Sequence, residues 1–128
     1  MKILGIGVDI IENKRIRNSI KKIQFRNRIY TSKELKQSSS IKDKTNYLSK
    51  RFAAKEAFAK ALGTGFSMNL NFKDIEVIND KMGQPHFVKT KKIVKIVKRK
   101  FKVKDFNCFL SISDEKDYST AFAIIQSI

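Results

Sequence analysis

Residues 47–62 read YLSKRFAAKEAFAKAL and run into Gly63-Thr64-Gly65. The segment has no Gly or Pro, is rich in alanine and is followed by glycines that suit a helix terminus, so it predicts one long helix. At about 100° per residue, Leu48, Phe52 and Ala59 fall together, with Phe58 and Leu62 beside them. Ala53, Ala54, Ala57 and Ala61 occupy most of the remaining circumference. Such a helix is buried nearly all round, and the flanking sequence supplies strands and further helices to surround it.

Upstream, Leu4, Ile6, Val8 and Ile10 alternate with Gly5, Gly7 and Asp9, the period of a strand. Glycines inside a strand mark close approach of another backbone or a ligand, and Asp9 is expected to project from a bare face with room around it. Ile16, Ile20 and Ile23 then form a helical stripe. Arg15, Arg17, Lys21, Lys22, Arg26 and Arg28 give that helix six positive charges with no acid between. The polar, aperiodic stretch from Gln37 to Asn46 reads as a loop.

Downstream, Ile75 to Ile78 is a short strand, NDKMGQP a turn carrying Gly83 and Pro85, and His86 to Thr90 the returning strand. Ile93, Ile96, Val97 and Phe101 stripe another helix, backed by nine Lys/Arg between Lys89 and Lys104. Phe106, Cys108, Leu110 and Ile112 alternate on a strand, DEKDY turns, and Ala121 to Ile125 closes a hairpin. No repeat or linker divides residues 1–128, which read as a single domain. The order β, α, α, ββ, α, ββ predicts an α+β fold with helices packed on a largely antiparallel sheet.

With 128 residues, 41% of them hydrophobic, the chain can bury one core without disulfides or metal staples. One cysteine and one histidine exclude an internal disulfide, a Cys-rich zinc site and any scheme needing two imidazoles. No apolar run approaches the ~20 residues of a membrane span, so a soluble protein is expected. Asp9 and Glu12 interrupt the apolar start, which reads as mature sequence and makes a cytoplasmic location the expectation. A formal charge of +16 and a pI near 10.1 point to an anionic partner.

The long helix holds the most informative pair. Glu56 and Lys60 are i, i+4 neighbours, which on an exposed helix are worth a few tenths of a kcal/mol and need no function. In the one polar window of a buried helix their desolvation is costly unless they bind something, so a site is favoured. A second carboxylate facing Glu56 would make a hard-cation site of the kind Mg²⁺ uses. Asp9 is the obvious candidate, although spacing alone leaves the partner open. Gly5-Ile6-Gly7 lacks the third glycine of a dinucleotide fingerprint, and Gly63-Thr64-Gly65 lacks the Lys-Ser/Thr of a phosphate loop. A nucleic-acid-binding module is the alternative reading. It explains the charge but leaves Asp9 and Glu56 without a role, and no zinc finger, aromatic RNA-binding pattern or zipper heptad supports it.

Taken together, GIGVDIIENKRI at 5–16, RIYTSKEL at 28–35, RFAAKEAFAKALGTG at 51–65, DIEVIND with GQP at 74–85 and SISDEKDYSTAFAII at 111–125 resemble the holo-acyl-carrier-protein synthases, a family of 4'-phosphopantetheinyl transferases. The blocks span nearly the whole chain in the family's order. The resemblance implies transfer of 4'-phosphopantetheine from coenzyme A to a serine of an apo-acyl carrier protein, in fatty acid biosynthesis, leaving adenosine 3',5'-bisphosphate. It implies Mg²⁺ on Asp9 and Glu56, Lys60 on the same phosphates, and Arg51 and Lys55 on other phosphates of coenzyme A. It further implies a homotrimer whose active sites lie between subunits, with Asn79, Gly83, Pro85 and Asp114 facing coenzyme A held by a neighbour. Arg15, Arg17, Lys21, Lys22 and Arg26 would dock the acidic carrier. Two departures stand out. Gln84 replaces a lysine common in relatives, and Asp114 stands where many carry histidine, so a histidine base at that point is excluded.

Overall fold

The computed structural model describes residues 1–128. Its main sheet has three antiparallel strands in the order β1-β5-β4, formed by Lys2–Glu12 (β1), Phe106–Asp114 (β4) and Tyr118–Ser127 (β5). Val77–Asn79 (β2) and Pro85–Phe87 (β3) make a separate two-stranded hairpin. The α+β expectation is met.

The long helix α4, Lys44–Leu62, lies across the inner face of β1 and β5. It begins three residues before the sequence reading placed it, because Asp43 caps it by accepting the backbone N–H of Asn46 at 3.0 Å. It ends at Gly63, whose φ of 82° few other residues tolerate. Its alanines are the reason it packs so closely. A Cβ on Gly5 would lie 1.8 Å from the Ala61 carbonyl oxygen, and one on Gly7 would lie 2.0 Å from that of Ala57. The glycine face of β1 is therefore covered by helix backbone. The open surface expected around Asp9 is not there, and the carboxylate projects from the covered face with its side chain 15% exposed. The other face, with Ile6, Val8 and Ile10, is the exposed one.

The basic segment is two short helices, α1 (Asn13–Ser19) and α2 (Ile23–Ile29), and not one. The break places Lys21 and Lys22 in the connection and leaves Ile23 exposed, while Ile16 and Ile29 enter the core. A further helix, α3 (Ser32–Ser38), fills a stretch to which the sequence reading assigns no element and takes the first two residues of the expected Gln37–Asn46 loop. Thr31 and Glu34 form its capping box, each side chain satisfying the other's backbone N–H. Helix α5, Lys91–Phe101, buries Ile93, Ile96 and Val97 as its stripe predicts. No helix is long and apolar enough to cross a membrane.

Candidate active site

At the end of the close contact between β1 and α4, Asp9, Glu56 and Lys60 come together. Lys60 Nζ donates to the Val8 carbonyl at 3.0 Å and to Asp9 Oδ1 at 3.2 Å. Lys60 thus pairs across to β1 and not with Glu56 along the helix, and it keeps about half of its side chain in solvent. Burial raises the Asp9 carboxyl above its ordinary range, opposed by the Lys60 hydrogen bond. Burial also raises Glu56, and the Asp9 charge raises it further. Two like charges are therefore held in mutual reach on a half-buried surface. No third His, Cys, Asp or Glu joins them in a metal-binding group. Two oxygen-donor carboxylates fit an ion such as Mg²⁺, which takes one or two of them and completes its shell from water and phosphate.

The positive charge of Arg15, on α1, also acts on both carboxylates. Arg15 thereby links the basic helices to this centre. Lys22 and Arg28 border a groove of about 490 Å³ with Asn18, Ser19, Gln24 and Phe25, and Arg17 borders a separate one with Lys116 and the acids Asp43, Asp114 and Glu115. Arg26 turns inward to donate to the Ile20 carbonyl that closes α1.

A second cleft of about 400 Å³ gathers Arg51, Asn79, Gly83, Pro85 and Asp114, five residues singled out in the sequence. Arg51 lines it while only 2% exposed. Its guanidinium lies 3.6 Å over the Tyr47 ring and donates to Asn79 Oδ1 at 2.7 Å, and its buried Nε has no partner. Asp114 accepts from Asn46 Nδ2 at 2.6 Å. Tyr47, Asn46, Asp43 and Lys50 also line the cleft, and periodicity alone does not distinguish them from ordinary helix residues.

Lys55 lies elsewhere. Its ammonium is fully buried, 2.8 Å from Glu34, and also donates to the Phe72 and Ile75 carbonyls. All three N–H groups are taken, so the phosphate contact expected of Lys55 has no donor available. Burial lowers its pKa, and Glu34 opposes that shift. Glu34 also accepts Val77 N–H at 2.9 Å, fixing β2, which ends at Asn79. The single imidazole, His86, is tied to Asp80 in the β2–β3 turn.

Residues 5–123 match the model of the 4'-phosphopantetheinyl transferase superfamily. The chain belongs to that superfamily, among its holo-[acyl-carrier-protein] synthases. It is 62% identical over 126 residues to the holo-[acyl-carrier-protein] synthase of Pelagibacter ubique, covering 98% of each chain. The corresponding protein of a Wolbachia from Culex pipiens is 44% identical, over 96% of this chain and 97% of the relative. Among solved structures, the Neisseria meningitidis synthase superposes with a TM-score of 0.87 at 39% identity, over 98% of this chain and 99% of that one. The Bacillus anthracis synthase, in complex with CoA (3',5'-ADP), gives 0.83 at 35%, over the whole of both chains. The dicarboxylate centre and the Arg51 cleft thus lie on a chain of the phosphopantetheinyl transferase superfamily.

Proposed function

We propose that the protein transfers the 4'-phosphopantetheine group of coenzyme A to a serine hydroxyl of an apo-acyl carrier protein, Mg²⁺-dependently, in cytoplasmic fatty acid biosynthesis. The observation that carries this reading is the convergence of Asp9, Glu56 and Lys60 from two elements into one half-buried cluster whose negative charge Lys60 and Arg15 offset only in part.

In the reaction, the serine hydroxyl releases its proton to solvent as its oxygen bonds to the phosphorus bearing pantetheine, and the bridging P–O bond breaks towards the nucleotide, which leaves as adenosine 3',5'-bisphosphate. Asp9 and Glu56 are the groups to hold Mg²⁺, which when bound neutralises pyrophosphate charge. Lys60, anchored by Val8 and Asp9 with a half-exposed ammonium, presents a further donor to a phosphate oxygen. Arg51 and Asn79 hold the nucleotide side of the substrate. Arg15, Arg17, Lys21 and Lys22 are exposed and attract the acidic carrier, while Arg26 stiffens the turn between the two helices.

A homotrimer with sites between subunits is part of the same reading. Its support is the outward sheet face, where Ile6, Val8, Ile10, Phe109 and Phe122 are each at least 41% exposed. Chromatographic detection of adenosine 3',5'-bisphosphate tests the reaction. Release is expected only with coenzyme A, Mg²⁺ and apo-carrier all present; release without carrier, or none with all three, contradicts it.

A further inference from the structure

We propose that Phe72 is a positioning residue of the 490 Å³ groove: through a stacked row of phenylalanines it holds α2, and with it Arg28 and the adjoining Lys22, in the orientation that receives the acidic carrier. The identity of that occupant rests on the transferase reading above, whereas the row itself does not.

Phe25 is the one apolar residue lining the groove between α1 and α2. Its ring stacks on Phe52 of α4 at 6.2 Å and 24°, Phe52 on Phe72 at 5.4 Å and 20°, and Phe72 on Phe66 at 3.9 Å and 22°. Four residues distant in sequence thus set their half-buried rings in one nearly parallel row. Little else fixes the half of α2 that borders the groove. The C-terminal end is seated by the buried Ile29 and by Tyr30, whose hydroxyl donates to the Leu48 carbonyl at 2.9 Å. At the N-terminal end Lys22 supplies no side-chain cap, Ile23 is exposed, and Arg26 ties α2 only to the end of α1. Phe25 is therefore the side chain that joins this end to α4. Phe72 is the fixed end of the row. Its 3₁₀ turn, Phe72–Asp74, is fastened to α4 by the buried Lys55, which donates to the Phe72 and Ile75 carbonyls, and Asp74 closes the turn on the Asn71 backbone N–H at 2.8 Å. Aromatic pairs of this kind contribute beyond the area they bury. Without them α2 leaves the competent orientation, and the carrier's apparent affinity falls with the fraction of molecules still in it. Phe72 lines neither the groove nor the Arg51 cleft, so its effect on the reaction passes through the row.

Steady-state kinetics with apo-carrier and coenzyme A varied in turn, on wild type, Phe72→Leu and Phe72→Tyr, test the row. Phe72→Leu, which keeps apolar bulk and removes stacking, is expected to raise KM for the carrier about fivefold, with KM for coenzyme A and kcat nearly unchanged. Phe72→Tyr restores the carrier KM. Phe101→Leu, which removes a half-buried ring of α5 outside the row, leaves it alone. Hydrogen exchange without carrier gives a readout independent of turnover: the amides of residues 26–29 exchange faster in Phe72→Leu, while those of α4 and α5 keep wild-type protection. A rise in both KM values, an unchanged carrier KM, a change confined to kcat, or unchanged exchange in α2 overturns the proposal. Should the leucine variant not fold, Phe72→Met, which fills more of the space without a ring, carries the same comparison. Absence of transfer in the wild type counts against the transferase reading. The row is then read by calorimetric titration of apo-carrier, where weaker binding by Phe72→Leu supports it and equal binding or none overturns it.

Discussion

Glu56 sits where burial and the Asp9 charge both oppose its ionisation, while Lys60 and Arg15 only partly offset them. A carboxyl raised in the folded state above its unfolded value contributes stability below the unfolded pKa and loses it as pH rises through the folded one. In the ion-free protein at neutral pH, Glu56→Gln therefore removes a destabilising charge and melts at or slightly above wild type. The difference disappears in acid and reverses when Mg²⁺ binds the wild type. The same substitution, like Asp9→Asn, is expected to lower transfer about a hundredfold or more if, as proposed, these carboxylates hold the metal. Thermal melts across pH with and without Mg²⁺, beside rates at saturating Mg²⁺, check both halves. Cys108 gives a simpler test. Burial pushes its thiol up to about 12, so a thiol reagent labels the folded chain far more slowly than the denatured one.

The contact of β1 with α4 explains why the strand that carries Asp9 also carries two glycines. Gly7→Ala drives a methyl to about 2.0 Å from the Ala57 oxygen, and this is backbone that cannot turn away. A loss of about 3 kcal/mol or more in denaturant unfolding is expected. Lys55→Met strands Glu34 in the core and costs about 3–5 kcal/mol, in the range for breaking a buried ion pair. Much of this level is legible in the sequence, since alanine and glycine patterns report close packing and α4 and α5 follow their stripes. Other parts are not. The isoleucine stripe at 16, 20 and 23 carries no sign that the backbone breaks after Ser19. Helix α3 has no apolar stripe, although the Thr31–Glu34 capping box is a local signal that finds it. Nothing local marks Lys55 as buried, because its counter-charge comes from another helix. The glycine face was legible as a close approach, but only the packing shows that helix backbone covers it and that the apolar side of β1 faces solvent.

At the scale of the whole molecule, two surfaces remain to be satisfied. Across the outward sheet face the register sets Ile6 beside Ile124 and Phe109, and Val8 beside Phe122 and Ser111. A negative charge at its centre, Val8→Glu, is expected to yield a monomer with little activity by light scattering and assay, whereas an active wild-type monomer contradicts the trimer. The basic helices present the other surface. Reversing Arg15 and Lys22 to glutamate weakens the carrier's apparent affinity and association rate, and the wild-type rate falls as salt shortens the Debye length to about 8 Å. Coenzyme A affinity barely changes in Lys22→Glu alone, because its phosphates meet the other elements, whereas Arg15→Glu also perturbs the Asp9 and Glu56 pair on which its charge acts. The most direct measurement of the central claim is the intact mass of an apo-acyl carrier protein after incubation with coenzyme A, Mg²⁺ and either wild-type protein or Glu56→Gln. The account predicts that wild type adds the mass of one phosphopantetheine to the carrier serine and that the variant leaves the carrier unmodified; an unmodified carrier with wild type, or equal modification by both, would contradict it.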